Sequence, residues 1–439
     1  MRKMTQGSIA RHLIAYALPL ILGNIFQLTY NAVDSIVIGK FAGENALAAV
    51  SAANPVMTIV ILGVSGVSIG ASVLMSRFFG AGDTQKLRRE VATTLVFGAI
   101  ASLIVFLIGL PLSEPVLRLM NVPADVLPMA AGYLRVIFVG FLFTFQYNIL
   151  AAALRSVGDS KTPVIFLAVA SVMNAGLDVV FVAFGKWGVI GAGAATVIAE
   201  GVSALLCAVH IYRNIPLLHL SLRDLRIDKT LLSETISYGA ITALQQACQP
   251  IGKAVIQSVI NAQGVSVMAA FNAVSRIDDF ACIPEQSISS GIMTCIAQNR
   301  GAGEHERVGQ TLRYGMRIEA VYGVLICLIV LAVKTPVMRL FAAQDSVSMI
   351  GMGVDYLTLM AFFYILPGLT NGIQGYFRGM GEMKTTLIAT FIQISVRALV
   401  VWLLVPRIGL NGAAWACAAG WCLMLVYTFF RYRKVKIKA

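Results

Sequence analysis

Long apolar blocks alternate with short basic breaks along this chain. Residues 12–33, 45–76, 91–113, 136–154, 254–275, 356–377 and 408–430 contain no Asp, Glu, Lys or Arg. Crossing the hydrocarbon core of a bilayer takes about 20 apolar residues at roughly 1.5 Å rise each. A chain in lipid must satisfy its own backbone hydrogen bonds, so blocks of this length predict helices. Barrel strands would be about ten residues long and would alternate. The pattern predicts twelve spans, near residues 12–38, 46–76, 91–111, 125–152, 162–185, 188–212, 233–260, 266–298, 312–333, 347–376, 386–405 and 409–430.

Composition strengthens this picture. Of 439 residues, 58% are hydrophobic and 13% charged, against about 25% charged in a soluble protein. No stretch between blocks is long enough for a soluble domain. Met1-Arg2-Lys3 leads into a polar stretch and an apolar segment longer than a signal peptide, so the first span is expected to be retained. The seven cysteines, at 207, 248, 282, 295, 327, 417 and 422, lie in apolar segments without a CxxC pair, as buried thiols do. The four histidines, at 12, 210, 219 and 305, have no partner at ligand spacing, so no metal site or other cofactor is expected. HExxH does not occur and the histidines are not clustered, which argues against an enzyme.

The net charge of +13 would point to nucleic acid in a soluble protein. Here the loops account for it. With the N-terminus in the cytoplasm, 24 of the 34 Lys and Arg fall on the cytoplasmic side and 6 outside, with Arg135, Lys253, Arg276 and Arg397 inside spans. This asymmetry places both termini in the cytoplasm of a plasma (inner) membrane protein. The partners expected are the lipid bilayer and a small-molecule substrate, not nucleic acid.

The breaks also repeat. Gly80-Ala81-Gly82-Asp83 recurs as Gly301-Ala302-Gly303-Glu304; Arg155, Gly158, Asp159, Lys161 and Thr162 recur as Arg378, Gly381, Glu382, Lys384 and Thr385. Gly188, Gly191 and Ala192 recur as Gly409, Gly412 and Ala413, all at spacings of 221–223. The expected fold is therefore all-α and polytopic: twelve transmembrane helices in two pseudo-symmetric six-helix bundles. Residues 1–212 form the first lobe, 213–232 a cytoplasmic linker and 233–439 the second lobe with a basic tail. Six spans per half gives both halves the same orientation, an arrangement of transporters. A repeat within one chain also predicts function as a monomer.

The run Asn31-Ala-Val-Asp34-Ser-Ile-Val-Ile-Gly39, the Gly80–Asp83 loop, the Arg155…Gly-Asp-Ser-Lys-Thr-Pro163 turn and Gln298-Asn299-Arg300-Gly-Ala-Gly303 together resemble the multidrug and toxic compound extrusion (MATE) family over essentially the whole chain. The resemblance implies a V-shaped pair of bundles exporting drugs or metabolites in exchange for H⁺ or Na⁺. It is closer to the DinF-like bacterial and archaeal branch than to the NorM-like branch. In the former, a cation or proton site uses an Asp of span one, an Asn and Asp of span five and a Thr of span six, matched here by Asp34, Asn174, Asp178 and Thr196. Pro19 matches a span-one proline whose bending is linked to protonation in that branch. The NorM-like acids of spans seven and ten are replaced here by Gln245, Gln249, Lys253 and Asn371.

The residues themselves support part of this. Counted from the outer span ends, Asp34, Asp178 and Thr196 lie roughly 7, 10 and 12 Å deep. Asn174 is one turn from Asp178 on the same face. Oxygen ligands suit a hard cation, and paired carboxylates trap a proton; the ordinary alternative is hydrogen bonding between helices. Inside the spans, the first half sets Asp34, Asp178 and Glu200 against Arg135, whereas the second sets Asp278, Asp279 and Glu285 against Lys253, Arg276 and Arg397. Arg276 and Asp279 are i, i+3 neighbours, so the second half is expected to pair its charges and the first to hold unpaired acids. Gln27, Asn31, Tyr147, Met173, Glu200, Gln245, Gln249, Lys253, Glu285 and Asn371 are candidate substrate-cavity residues; ordinary packing is the competing reading for each. The function expected is ion-coupled export of small cationic or amphiphilic compounds, with export of lipid-linked or anionic compounds as the alternative.

Overall fold

The computed structural model describes residues 3–221, 224–341 and 347–438. Thirteen α-helices carry the chain: α1 Ile9–Val37, α2 Glu44–Gly80, α3 Thr84–Leu119, α4 Leu127–Ser156, α5 Lys161–Asp178, α6 Gly188–Asn214, α7 Lys229–Asn261, α8 Val265–Gly301, α9 His305–Phe341, α10 Val347–Phe363, α11 Ile365–Gly379, α12 Met383–Ile408 and α13 Asn411–Lys438. Among the described residues, nine helices are long and apolar enough to cross a membrane, and α10 with α11 makes a tenth span bent by 43°. The remaining two, α7 and α8, are long but carry Lys253, Asp278, Asp279 and Glu285 in their interiors.

The predicted tenth span, 347–376, was expected as one helix; it breaks at Tyr364. Pro367 then falls in the first turn of α11, where its missing N–H breaks no hydrogen bond. Pro19, Pro55, Pro250 and Pro284 stay inside helices. Two π-helical segments were not anticipated: Ile38–Ala42 continues α1 and Val179–Phe184 continues α5.

The duplicated loops adopt the same backbone in both halves. Gly82 and Gly303 have φ of 72° and 75°, and Gly158 and Gly381 have φ of 82° and 71°. These are left-handed conformations that glycine adopts without steric cost, which explains why the motif keeps glycine at those positions.

The chain divides into two compact units: Pro19–Ala243 in one, and Met4–Leu18 with Leu244 onward in the other. Each unit therefore owns the first part of a helix that continues into the other. In the first unit, the start of α7 packs on α2 so closely that a Cβ on Gly66 would lie 2.4 Å from the Gly239 carbonyl oxygen. Arg77 meets Glu234 at 3.0 Å, and Thr235 donates to buried Glu90 at 2.5 Å. In the second unit, Tyr16 of α1 bonds Thr294 at 3.0 Å, and the Met4 backbone N–H donates to Gln298 at 2.9 Å.

Candidate functional site

In the first unit, α1, α5 and α6 bring Asp34, Asn174, Asp178 and Thr196 together. Asp178 and Asn174 are almost fully buried, and Asp34 and Thr196 are half-buried. With its NH₂ turned toward the acid, Asn174 donates to Asp178 Oδ2 at 3.1 Å and accepts from the Thr196 backbone N–H at 3.0 Å. The side chains of Asn174 and Thr196 approach to 3.5 Å. The carboxyls of Asp34 on α1 and Asp178 on α5 lie beside each other. Asp34 Oδ1 and Asp178 Oδ1 are buried without a hydrogen-bond partner among the described residues. An unsatisfied buried carboxylate oxygen is costly, and a proton or a hard cation relieves the cost.

Local backbone sets this arrangement. Asp178 is the last α-helical residue of α5, and the π turn starts at Val179; Asp34 lies four residues before the π turn at Ile38. Wider i→i+5 turns of this kind recur at functional sites. Two residues missed from sequence adjoin the acids. Tyr30, one turn before Asp34, and Tyr133 of α4 both lie near Asp34. The i, i+4 spacing to Asp34 was the available signal for Tyr30.

Other candidates are placed differently. Glu200 is not a free acid, since Thr144 donates to it. Arg135 pairs with Glu114 at 3.7 Å rather than with any interior acid. Tyr147 donates to the Pro163 carbonyl at 3.1 Å. Gln27 and Asn31 are exposed and Met173 is half-buried.

In the second unit, Gln245 does not stand open to a cavity. It is buried and committed to Gln374 (2.5 Å), Thr390 (2.9 Å), Arg378 (3.2 Å) and Thr386 (3.2 Å). Gln249 is exposed. Lys253 pairs with Asp279 at 2.8 Å, so the i, i+3 partnership of Arg276 with Asp279 gives way to an interhelical one. Buried Glu285 accepts from Asn371 at 3.4 Å. The sequence reading passed over Glu319 of α9, which is fully buried with both carboxylate oxygens unpartnered among the described residues. Its signal was a lone acid in a block otherwise suited to a span. No cluster of three or more His, Cys, Asp or Glu capable of holding a metal occurs among the described residues.

A duplicated, polytopic helical membrane protein with a buried acid pair in one repeat is a membrane transporter in architecture. The MatE family model matches this chain twice, at residues 19–180 and 242–403, and the chain belongs to the MatE family of exporters. It is accordingly not an enzyme. It is 29% identical over 444 residues to the probable multidrug resistance protein YpnP of Bacillus subtilis, covering 99% of this chain and 98% of that one. It is 22% identical over 418 residues to the multidrug export protein MepA of Staphylococcus aureus, covering 94% and 90%. Its fold matches an outward-facing multidrug resistance MATE family transporter of the MOP superfamily with a TM-score of 0.91 at 23% identity, covering 99% and 98%. A MATE structure in complex with MaL6 matches with a TM-score of 0.90 at 22% identity, covering 99% and 98%.

Proposed function

We propose that this chain is a secondary antiporter that exports small cationic or amphiphilic organic compounds in exchange for H⁺ or Na⁺ by alternating access. It works as a monomer with both termini in the cytoplasm. The coupling ion binds at Asp34, Asn174, Asp178 and Thr196. The observation that carries the reading is the adjacent Asp34 and Asp178 carboxyls, each keeping a buried oxygen unpartnered among the described residues. Two acids so placed hold one positive charge well and two negative charges poorly. Taking up a proton or Na⁺ from one side and releasing it to the other couples the ion gradient to the protein's conformational cycle. The placement of these acids in the first repeat also supports the DinF-like branch over the NorM-like one.

The relatives named for multidrug resistance or export support organic cations as cargo. The test is efflux of an ethidium-like cation from vesicles under an imposed pH gradient or an imposed Na⁺ gradient. Asp34→Asn and Asp178→Asn should each reduce ion-driven efflux to the level of protein-free vesicles while membrane insertion is kept. Efflux at the parental rate in both variants overturns the assignment. Transport of anionic or lipid-linked compounds in place of the cation overturns the substrate class.

A further inference from the structure

The duplicated loops align α3 with α9 at a difference of 221, with Gly82 against Gly303. Arg89, Ala92, Thr93 and Val96 of α3 then correspond to Gln310, Arg313, Tyr314 and Arg317 of α9. In the first unit this surface is covered. Thr93 is fully buried, as is Ala92, and the segment leading into α7 packs on it. Thr93 donates to the Arg226 carbonyl at 3.4 Å and accepts from the Asp228 backbone N–H at 3.1 Å. In the second unit the matched surface is open. Arg313, Tyr314 and Arg317 are all exposed, with arginines standing where the first repeat has an alanine and a valine.

A cavity of about 210 Å³ opens on this surface, lined by Gln310, Arg313, Tyr314 and Arg317. At about 3.6 residues per turn these four share one helix face. The Arg317 guanidinium lies 5.8 Å from the centre of the Tyr314 ring. Among the described residues, neither arginine makes an ion pair. The acid on the same face, Glu306, lies about two turns before Arg313 and accepts from Gln310 at 3.0 Å. Glu319 is buried on the opposite face. Beyond Arg317 the exposed face turns apolar: Val321, Val324, Leu325 and Leu328 are each more than half exposed. From Arg317 to Leu328 the helix rises about 16 Å, close to half of a ~30 Å hydrocarbon core. This end of α9 lies beside the N-terminal segment, because Arg307 donates to the Met4 and Gly7 carbonyls at 3.1 Å. On the orientation proposed above, that side is cytoplasmic.

We propose that this hollow binds the phosphate of an anionic glycerophospholipid, whose acyl chains lie along the apolar stripe of α9. Two guanidiniums one turn apart present forked N–H donors that match phosphate oxygens. A tyrosine at the membrane interface sets its ring against the chains and its hydroxyl toward the headgroup. Basic pockets against transmembrane helices on the cytoplasmic side recognise headgroups of this kind. A zwitterionic lipid offers the same phosphate but brings an ammonium toward the arginines, which selects against it. A free phosphate gains nothing from the stripe.

The experiment is native mass spectrometry of the purified full-length chain in detergent containing equal amounts of phosphatidylglycerol and phosphatidylcholine. The parent should retain one phosphatidylglycerol per chain in preference to phosphatidylcholine. In Arg313→Gln/Arg317→Gln that preference should fall by about fivefold for each arginine removed. The control Arg433→Gln/Lys434→Gln removes the same charge from exposed basic residues at the end of α13 and should keep the parental preference. If the double arginine variant does not fold, Arg313→Gln and Arg317→Gln taken singly decide the matter. Equal retention by the parent and the arginine variants overturns the proposal. An equal loss in the α13 control also overturns it, because the attraction would then belong to basic surface in general. In a parallel arm, inorganic phosphate at the lipid's concentration should leave the bound phosphatidylglycerol in place; its displacement would assign the hollow to a free anion and overturn the lipid.

Discussion

The α5–α6 pair of the first unit and the α12–α13 pair of the second correspond in sequence at offsets of 223 and 221. Their chemistry is nevertheless opposite. In the first pair, Asn174 turns its NH₂ to Asp178 and its oxygen to the Thr196 backbone N–H, beside the adjacent Asp34 carboxyl. In the second, Arg397 and Cys417 occupy the matched positions, at offsets of 223 and 221, and Val255 and Val401 stand where the acids are in the first. On the proposed reading, a few substitutions within the duplicated frame decide which half holds an exchangeable ion.

The sharpest way to break the comparison is to impose the second repeat's residue on the first. Asn174→Arg places a guanidinium one turn from Asp178, where it satisfies both carboxylates permanently. Ion-driven efflux should fall to background, as in the acid-neutralising variants. The distinguishing readout is the proton count, which should fall by one per chain although both acids remain. Unchanged efflux and an unchanged count would mean that the matched positions are not functionally equivalent.

A second comparison concerns the two helices that cross between units. The start of α7 is anchored by a buried acid, with Thr235 bonded to Glu90, and the start of α1 by a neutral pair, Tyr16 with Thr294. Thr235→Val leaves the buried Glu90 carboxyl without that donor. The expected cost is about 1–3 kcal/mol. Tyr16→Phe removes a neutral bond worth roughly 0.5–1.5 kcal/mol. Thermal unfolding in detergent should therefore rank Thr235→Val below Tyr16→Phe; the reverse order would show that the α1 anchor is the stronger one.

Much of this architecture was legible in the apolar blocks, because lipid forces a helix wherever the chain crosses it. The doubling was legible because glycine turns with left-handed φ tolerate few replacements. Asp34 and Asp178 could be singled out because ionisable residues inside a span are costly, Asn174 and Thr196 through the family resemblance, and the folded chain brings Asn174 to both Asp178 and Thr196. Other features lay beyond one-dimensional patterns. The π turns after Asp34 and Asp178 depend on how α1 and α5 pack. The break at Tyr364 needed the bend itself, because Pro367 alone is compatible with a continuous helix. Lys253 reaches Asp279 only across two helices, and sequence proximity favoured Arg276 instead. Glu319 was hidden inside an otherwise ordinary span.

The smallest expected difference between the halves lies in the duplicated loops. Asp83 caps α3: its carboxylate accepts from the Lys86 backbone N–H at 2.9 Å, and that bond holds its pKa below the usual carboxylate range. Glu304 occupies the matched position before α9, and among the described residues its side chain makes no such bond. The extra methylene explains the difference, because short Asp, Asn, Ser and Thr side chains reach the first-turn N–H groups best. Asp83→Ala should therefore destabilise the chain by about 0.5–1 kcal/mol, and Glu304→Asp should stabilise it by a similar amount or less. Because the folded pKa of Asp83 is lowered, its contribution is complete above the unfolded value of about 3.9. It is lost as pH falls through the folded value. Melting curves of the parent and Asp83→Ala should thus separate at neutral pH and converge in acid; a gap that persists in acid would assign the effect to packing rather than to the cap.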